Sequence, residues 1–257
     1  GFSLSLGQVV DTGGASLAVT LVTLSVAFVV AWLLGRWLGL TDRLCTLIGV
    51  GTAICGGSAI AATAPIIQAD GHETALALST IFLFNVVAVL LFPFLGHLMG
   101  LSDAGFGLWA GTAINDTSSV VAAGYSYSVA AGDAATIVKL TRATLIIPVC
   151  LVLAAWVAWR ARQSGARVSL LRIFPWFILW FLGASALHTL DWVPAVLQGP
   201  LQQGSQFLIV MALTAIGLSS DLRHMVAAGV KPILLGLGVW CAVALGSLGM
   251  QALLGTL

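Results

Sequence analysis

Apolar runs bounded by polar or Gly/Pro clusters recur along the chain at about residues 15–35, 44–68, 74–96, 106–125, 134–159, 174–190, 204–220 and 231–253. A helix crossing the ~30 Å hydrocarbon layer of a bilayer needs about 20 mainly apolar residues, because each residue rises ~1.5 Å. The pattern predicts an all-α fold, a polytopic membrane helix bundle of about eight spans. Threading the chain through these spans puts Arg36, Arg43, Arg160, Arg162, Arg167, Arg172, Arg223 and Lys231 on one side. Asp11, Asp70, Glu73, Asp133 and Asp191 fall in the loops of the other side. By the positive-inside rule the Arg-bearing side is cytoplasmic, as expected for a protein of a bacterial inner (cell) membrane. Trp32, Trp37, Trp109, Trp156, Trp159, Trp176 and Trp180 fall near the cytoplasmic span ends, where an indole keeps its ring apolar and its N–H wet.

The longest charged connection, residues 160–173, divides a core transport bundle at 1–159 from a three-span bundle at 174–257. Composition agrees with burial in lipid. The chain is 60% hydrophobic and 7% charged, against ~25% charged in soluble domains. A net charge of +1 gives no field that would steer the protein to nucleic acid. Cys45, Cys55, Cys150 and Cys241 are scattered without ligand spacing, so free thiols are expected rather than a disulfide framework or a metal site. Nucleophile elbows, phosphate loops and His-Glu-x-x-His are all missing from the sequence, so neither an enzyme nor a cofactor is expected.

An internal echo marks where function would reside. Gly51-Thr52-Ala53-Ile54 recurs as Gly111-Thr112-Ala113-Ile114, and the register continues through Ser58 and Ser118, then Ala62 and Ala122. If every span is complete, two spans separate the copies and the repeat is direct. After the first copy come Gly56, Gly57 and Ser58, with Pro65 in the same run. Paired glycines at that depth predict a broken helix whose freed backbone groups must face protein or a water-filled cavity. After the second copy come Asn115, Asp116, Thr117 and Ser118, which put a carboxylate near the middle of a span. A charged side chain there costs ~3 kcal/mol on insertion scales and normally faces a partner, an ion or a cavity. Lys139 and Arg142 share one face of the next span, about two turns from the outer surface by the ~3.6-residue period. Asp116 can offset one of these cations, which leaves a net positive pocket suited to an anion. A purely structural Asp–Lys/Arg bridge is the alternative.

The stretches Gly51–Ala62, Gly107–Ile114, Val120–Gly124 and Val138–Arg142, with Gly217–Leu222 near the end, closely resemble the YeiH-type sulfate exporter family over nearly the whole chain. The resemblance implies two or three further helices before Gly1. It also implies a distant similarity to cation/proton antiporters and bile-acid-type sodium symporters, whose broken helices cross at the midplane. Gly56, Gly57, Ser58, Asn115 and Asp116 would lie at that crossing. The family commonly has His-Asp where this chain has Asn115-Asp116, so a proton relay through that His is in doubt here, and cation coupling stays open.

The expectation from both lines is a secondary transporter that exports sulfate or a related small sulfur oxyanion by alternating access. Lys139 and Arg142 would bind the anion, helped by backbone N–H groups near Gly57 and Thr117. Asp116 and Asn115 would couple Na+ or H+. The alternatives are a sodium- or proton-coupled carrier of organic anions, an anion channel and, last, a membrane enzyme. Small-residue faces also suit a homo-oligomer.

Overall fold

The computed structural model describes residues 6–160 and 229–257, with isolated positions between 183 and 211. The expected runs at 174–190 and 204–220, the loop beyond Arg160, Trp176, Trp180 and Gly217–Leu222 lie almost wholly outside the described residues. The continuous segments are helical throughout. Helix α1 is Leu6–Leu38, α2 Asp42–Ala53, α3 Gly57–Thr63, α4 Gly71–Met99 and α5 Asp103–Ala113. Helix α6 is Thr117–Tyr127, α7 Val129–Thr144, α8 Ile146–Arg160, and α9 Val230–Leu254. Helices α7 and α8 are offset only at Leu145. Pro148 explains that joint, since it has no N–H for the Thr144 carbonyl four residues back and its ring crowds that carbonyl.

Four stretches are long and apolar enough to cross a bilayer: Asp11–Leu38, Gly71–Met99, Val129–Val157 and Val230–Leu254. The runs at 44–68 and 106–125 are different, because each returns to the side it entered. At the base of the first, the Thr41 hydroxyl donates to Glu73 Oε1 at 2.6 Å. Thr41 caps α2, and Glu73 completes the capping box that Asp70 opens on α4. One carboxylate thus ties the entry of the run to its exit. Midway along the arms a Cβ on Gly51 would lie 2.9 Å from Ile60 Cδ1, so α2 and α3 pack closely as a hairpin. At the base of the second run, Ser128 donates to Asp103 Oδ1 at 2.7 Å and Tyr127 donates to the Leu101 carbonyl at 2.5 Å. The Tyr127 ring also stacks on Phe106 at 4.0 Å. Arms of 12 and 11 residues reach about 18 Å, roughly half of what a membrane span requires.

Several expectations change together. The span count of about eight is too high in this region, because 44–68 and 106–125 are re-entrant hairpins (hairpin 1, α2–α3; hairpin 2, α5–α6). Hairpin 1 enters from the end of the bundle where α1 and α8 finish, and hairpin 2 enters from the opposite end. The repeat is therefore inverted, not direct. Asp70 and Glu73 lie at the Arg36 and Arg43 end, while Asp103 lies with Asp133 at the other. The arginines kept their side because replacing two spans by two hairpins preserves parity.

Helices α1 and α9 run antiparallel, with Gly238 against Leu34 and Gly246 against Val26, and pack against both hairpins. Trp109 is buried, not an interface anchor. It stacks on Phe92 at 4.1 Å and donates its indole N–H to the Ala244 carbonyl at 3.1 Å. Trp32, Trp37 and Trp156 are exposed, as an anchoring belt requires. The described cysteines are free, with Cys45, Cys55 and Cys150 buried and Cys241 exposed.

Candidate functional site

The two hairpin tips meet in the middle of the bundle. Hairpin 1 turns at Gly56, whose φ of 68° and ψ of −122° only glycine adopts without strain. A Cβ there would lie 3.6 Å from the carbonyl carbon and oxygen of Asn115, so the tips touch through backbone. Hairpin 2 turns through Ile114 in an extended conformation and restarts at Asp116, the cap of α6. Asp116 Oδ2 accepts from the Ser118 N–H at 3.0 Å and from the Ser118 hydroxyl.

Each broken arm leaves carbonyls at its C-terminal end without intrahelical partners, and those ends carry the negative pole of the helix dipole. Lys139 and Arg142, both fully buried, take up these carbonyls. Lys139 Nζ donates to Ile54 O at 2.7 Å on tip 1 and to Ile114 O at 3.0 Å on tip 2. Arg142 Nε donates to Ala53 O at 2.6 Å, its Nη2 to Thr52 O, and its Nη1 to Thr112 O. The planar guanidinium fork reaches three carbonyls on the two tips through separate nitrogens, where the Lys139 ammonium reaches two from a single one. Lys139 lies ten residues beyond the start of α7, ~15 Å in, deeper than the two turns expected.

The cations thus pin the hairpins, and Asp116 does not neutralise them by direct pairing: its carboxylate fills the N-terminus of α6. Formal charge at the tips is two positive against one negative. The half-helix ends cancel pairwise, two C-termini against two N-termini at about half a charge each. With both side chains protonated, about one unit of positive charge is left over.

The remaining expected residues are partly gathered here. Asn115 is fully buried at tip 2, and Thr117 and Ser118 open α6 half-buried beside it. Gly57 opens α3 at tip 1, but Ser58 is exposed on α3. Asn85 was missed. It sits in the middle of α4, 2% exposed, and its Oδ1 accepts from the Asp116 N–H at 3.2 Å. Its signal was present, as the one hydrogen-bonding side chain in the apolar run from Ile81 to Phe94. Asn85 Nδ2 and both polar atoms of the Asn115 amide are buried without a hydrogen-bond partner. Among the described residues no group of three His, Cys, Asp or Glu could hold a metal ion.

Paired re-entrant hairpins pinned by buried cations between apolar crossing helices define a polytopic membrane protein built on an inverted repeat. Residues 1–236 match the family model described as conserved hypothetical protein 698. The chain is 47% identical to a UPF0324 membrane protein of Streptococcus mutans over 99% of its own length and 78% of the relative's. It is 49% identical to one of Streptococcus pneumoniae, with the same coverage. Identity to one of Streptococcus agalactiae is 46%, over 100% of this chain and 78% of the relative. No solved structure matches. The chain belongs to the UPF0324 (YeiH-type) membrane protein family.

Proposed function

We propose that this protein is a secondary transporter that moves a small oxyanion, sulfate or a related sulfur oxyanion, across the bacterial cell membrane by alternating access, with the Arg36 end cytoplasmic. The observation that carries the proposal is the meeting of two oppositely entering hairpins beside the buried basic side chains Lys139 and Arg142. Half-helices of an inverted repeat that stop at the midplane are the usual place for a transporter's substrate, and hairpins based on opposite faces can open one at a time. Lys139 donates two of its three ammonium N–H groups to the tips, so one is left for an anion. Arg142 acts as a positioning residue that also supplies charge. Thr117, Ser118 and the backbone near Gly57 complete the expected contacts. The Asp116 cap already occupies the Ser118 N–H of α6, which reduces that helix end's part in binding.

Ion coupling rests on a separate observation. Asp116 is only half-buried, so a proton or Na+ can reach it, and Asn115 Oδ1 beside it is free to ligate a cation. The test is counterflow of labelled sulfate into proteoliposomes of the full-length protein. Saturable counterflow is expected, with dependence on a Na+ or pH gradient reporting the coupling ion. Unsaturable flux would favour a channel, and no flux with sulfate, sulfite or thiosulfate would remove the substrate assignment.

A further inference from the structure

The direction of one hydrogen bond decides what the tip site can hold. A backbone N–H can only donate, so the atom of Asn85 that faces the Asp116 N–H must be its carbonyl oxygen, Oδ1, at 3.2 Å. The amide cannot be flipped without facing donor to donor. Its NH2 group is therefore the free end, buried and without a partner. Asn115, whose carbonyl forms that same peptide, contributes a second buried amide with both atoms unpartnered. Both amides flank the 115–116 peptide that touches Gly56 of the other hairpin. Leaving buried polar atoms unpaired is unfavourable, and a site that keeps them unpaired is fitted to a ligand that pairs them.

We propose that the Asn85 and Asn115 carboxamides are the selecting contacts of the transport site, donating N–H to the oxygens of a fully deprotonated oxyanion, with Asn85 the specificity-determining residue on the crossing helix α4. This rests on the transporter reading above and deepens it. A free NH2 end has no lone pair for a cation, so Asn85 separates the anion site from any cation site at Asn115 Oδ1 and Asp116. Neutral amide donors also bind an oxyanion without adding a third buried charge beside Lys139 and Arg142. A ligand that carries its own O–H in place of a bare oxygen would offer the Asn85 donors a weaker, uncharged acceptor and find no acceptor there for its hydrogen, which is the source of selectivity.

The test is direct binding of labelled sulfate to the purified full-length protein by scintillation proximity, read beside thermal unfolding and proteoliposome counterflow. Asn85→Asp keeps the acceptor for the Asp116 N–H and removes both donors, while Asn85→Leu removes them without adding charge. Each is expected to weaken sulfate binding about 10- to 100-fold, as the loss of hydrogen bonds to a charged partner does. The unfolding temperature is expected to fall further in Asn85→Leu, which also unpairs the Asp116 N–H, than in Asn85→Asp, which keeps that acceptor. Asn115→Ser should weaken binding as well, and it carries the same prediction if the Asn85 variants are not recovered folded. Binding equal to wild type in the Asn85 variants, or lost only in Asn85→Asp, would overturn the assignment and leave the transporter reading intact. Wild-type binding without counterflow, lost in both variants, would support the assignment and sink the carrier mechanism. Wild-type protein that binds no sulfate, sulfite or thiosulfate would overturn both.

Discussion

Hairpin 1 reverses at Gly56, with φ 68° and no polar side chain at the turn, whereas hairpin 2 reverses between Ile114 and Asp116, both extended, and restarts on a carboxylate cap. The arms that enter the bundle are nearly equal, 12 and 11 residues, and both end on Gly-Thr-Ala-Ile. Both bases are held by a hydroxyl on a carboxylate, Thr41 on Glu73 and Ser128 on Asp103. The scaffold of the repeat has been kept while its turns have diverged. A glycine turn lets the partner backbone come close, and an Asn-Asp turn places polar atoms where that backbone arrives. Hairpin 1 therefore acts as the wall of the site and hairpin 2 carries its chemistry. Arg142 serves both, since its fork holds Thr52 and Ala53 on one and Thr112 on the other.

The largest effect should come where the two hairpins depend on the same group. Arg142→Ala leaves three buried carbonyls unpaired, at ~1–3 kcal/mol each, so a loss of at least ~3 kcal/mol is expected. Thermal unfolding of the detergent-solubilised protein would read it, and Arg142→Lys should restore only part because one ammonium lacks the separated nitrogens that reach Thr52, Ala53 and Thr112 together. Gly56→Ala should cost ~1–3 kcal/mol through strain at positive φ. Ala at Asn115 leaves the extended turn of hairpin 2 unstrained, so equal losses at the two positions would break the contrast between the tips. Thr41→Val and Ser128→Ala each remove a helix cap and a base contact, and each is expected to cost ~1–2 kcal/mol in the same assay. A loss at only one base would show that the hairpins are not held alike. The smallest change in stability is expected for Asp116→Asn, a few tenths of a kcal/mol, because Asn and Asp cap helices about equally well. Its effect should appear in the Na+ or pH dependence of flux.

The membrane class, the apolar crossing helices and the helix breaks at Gly56 and Asn115–Asp116 were legible in the sequence, since composition and local backbone preference control them. Hairpin reversal was not. A 25-residue apolar run has the length of a span whether it continues or folds back, and only tertiary contacts such as Thr41 with Glu73 distinguish the two. The misread sign of the repeat followed directly from that ambiguity. Lys139 and Arg142 were legible as a buried cationic pair on one helix face, but their carbonyl partners lie up to 90 residues away, where no local pattern reaches. Asn85 could have been found as a lone amide in an apolar helix. Trp109 reads like a belt residue by type and position, and only packing against Phe92 shows it to be core.

Alternating access through this site requires the two hairpins to enter from opposite faces. In a background with the native cysteines replaced, single cysteines at the exposed positions Arg43, His72 and Ala104 can be labelled with a membrane-impermeant maleimide in intact cells and in inverted vesicles. Re-entrant hairpins predict that Arg43→Cys and His72→Cys react from the same side and Ala104→Cys from the other. Labelling of His72→Cys opposite to Arg43→Cys, with Ala104→Cys on the Arg43 side, would mean that 44–68 crosses the membrane and would contradict the inverted repeat.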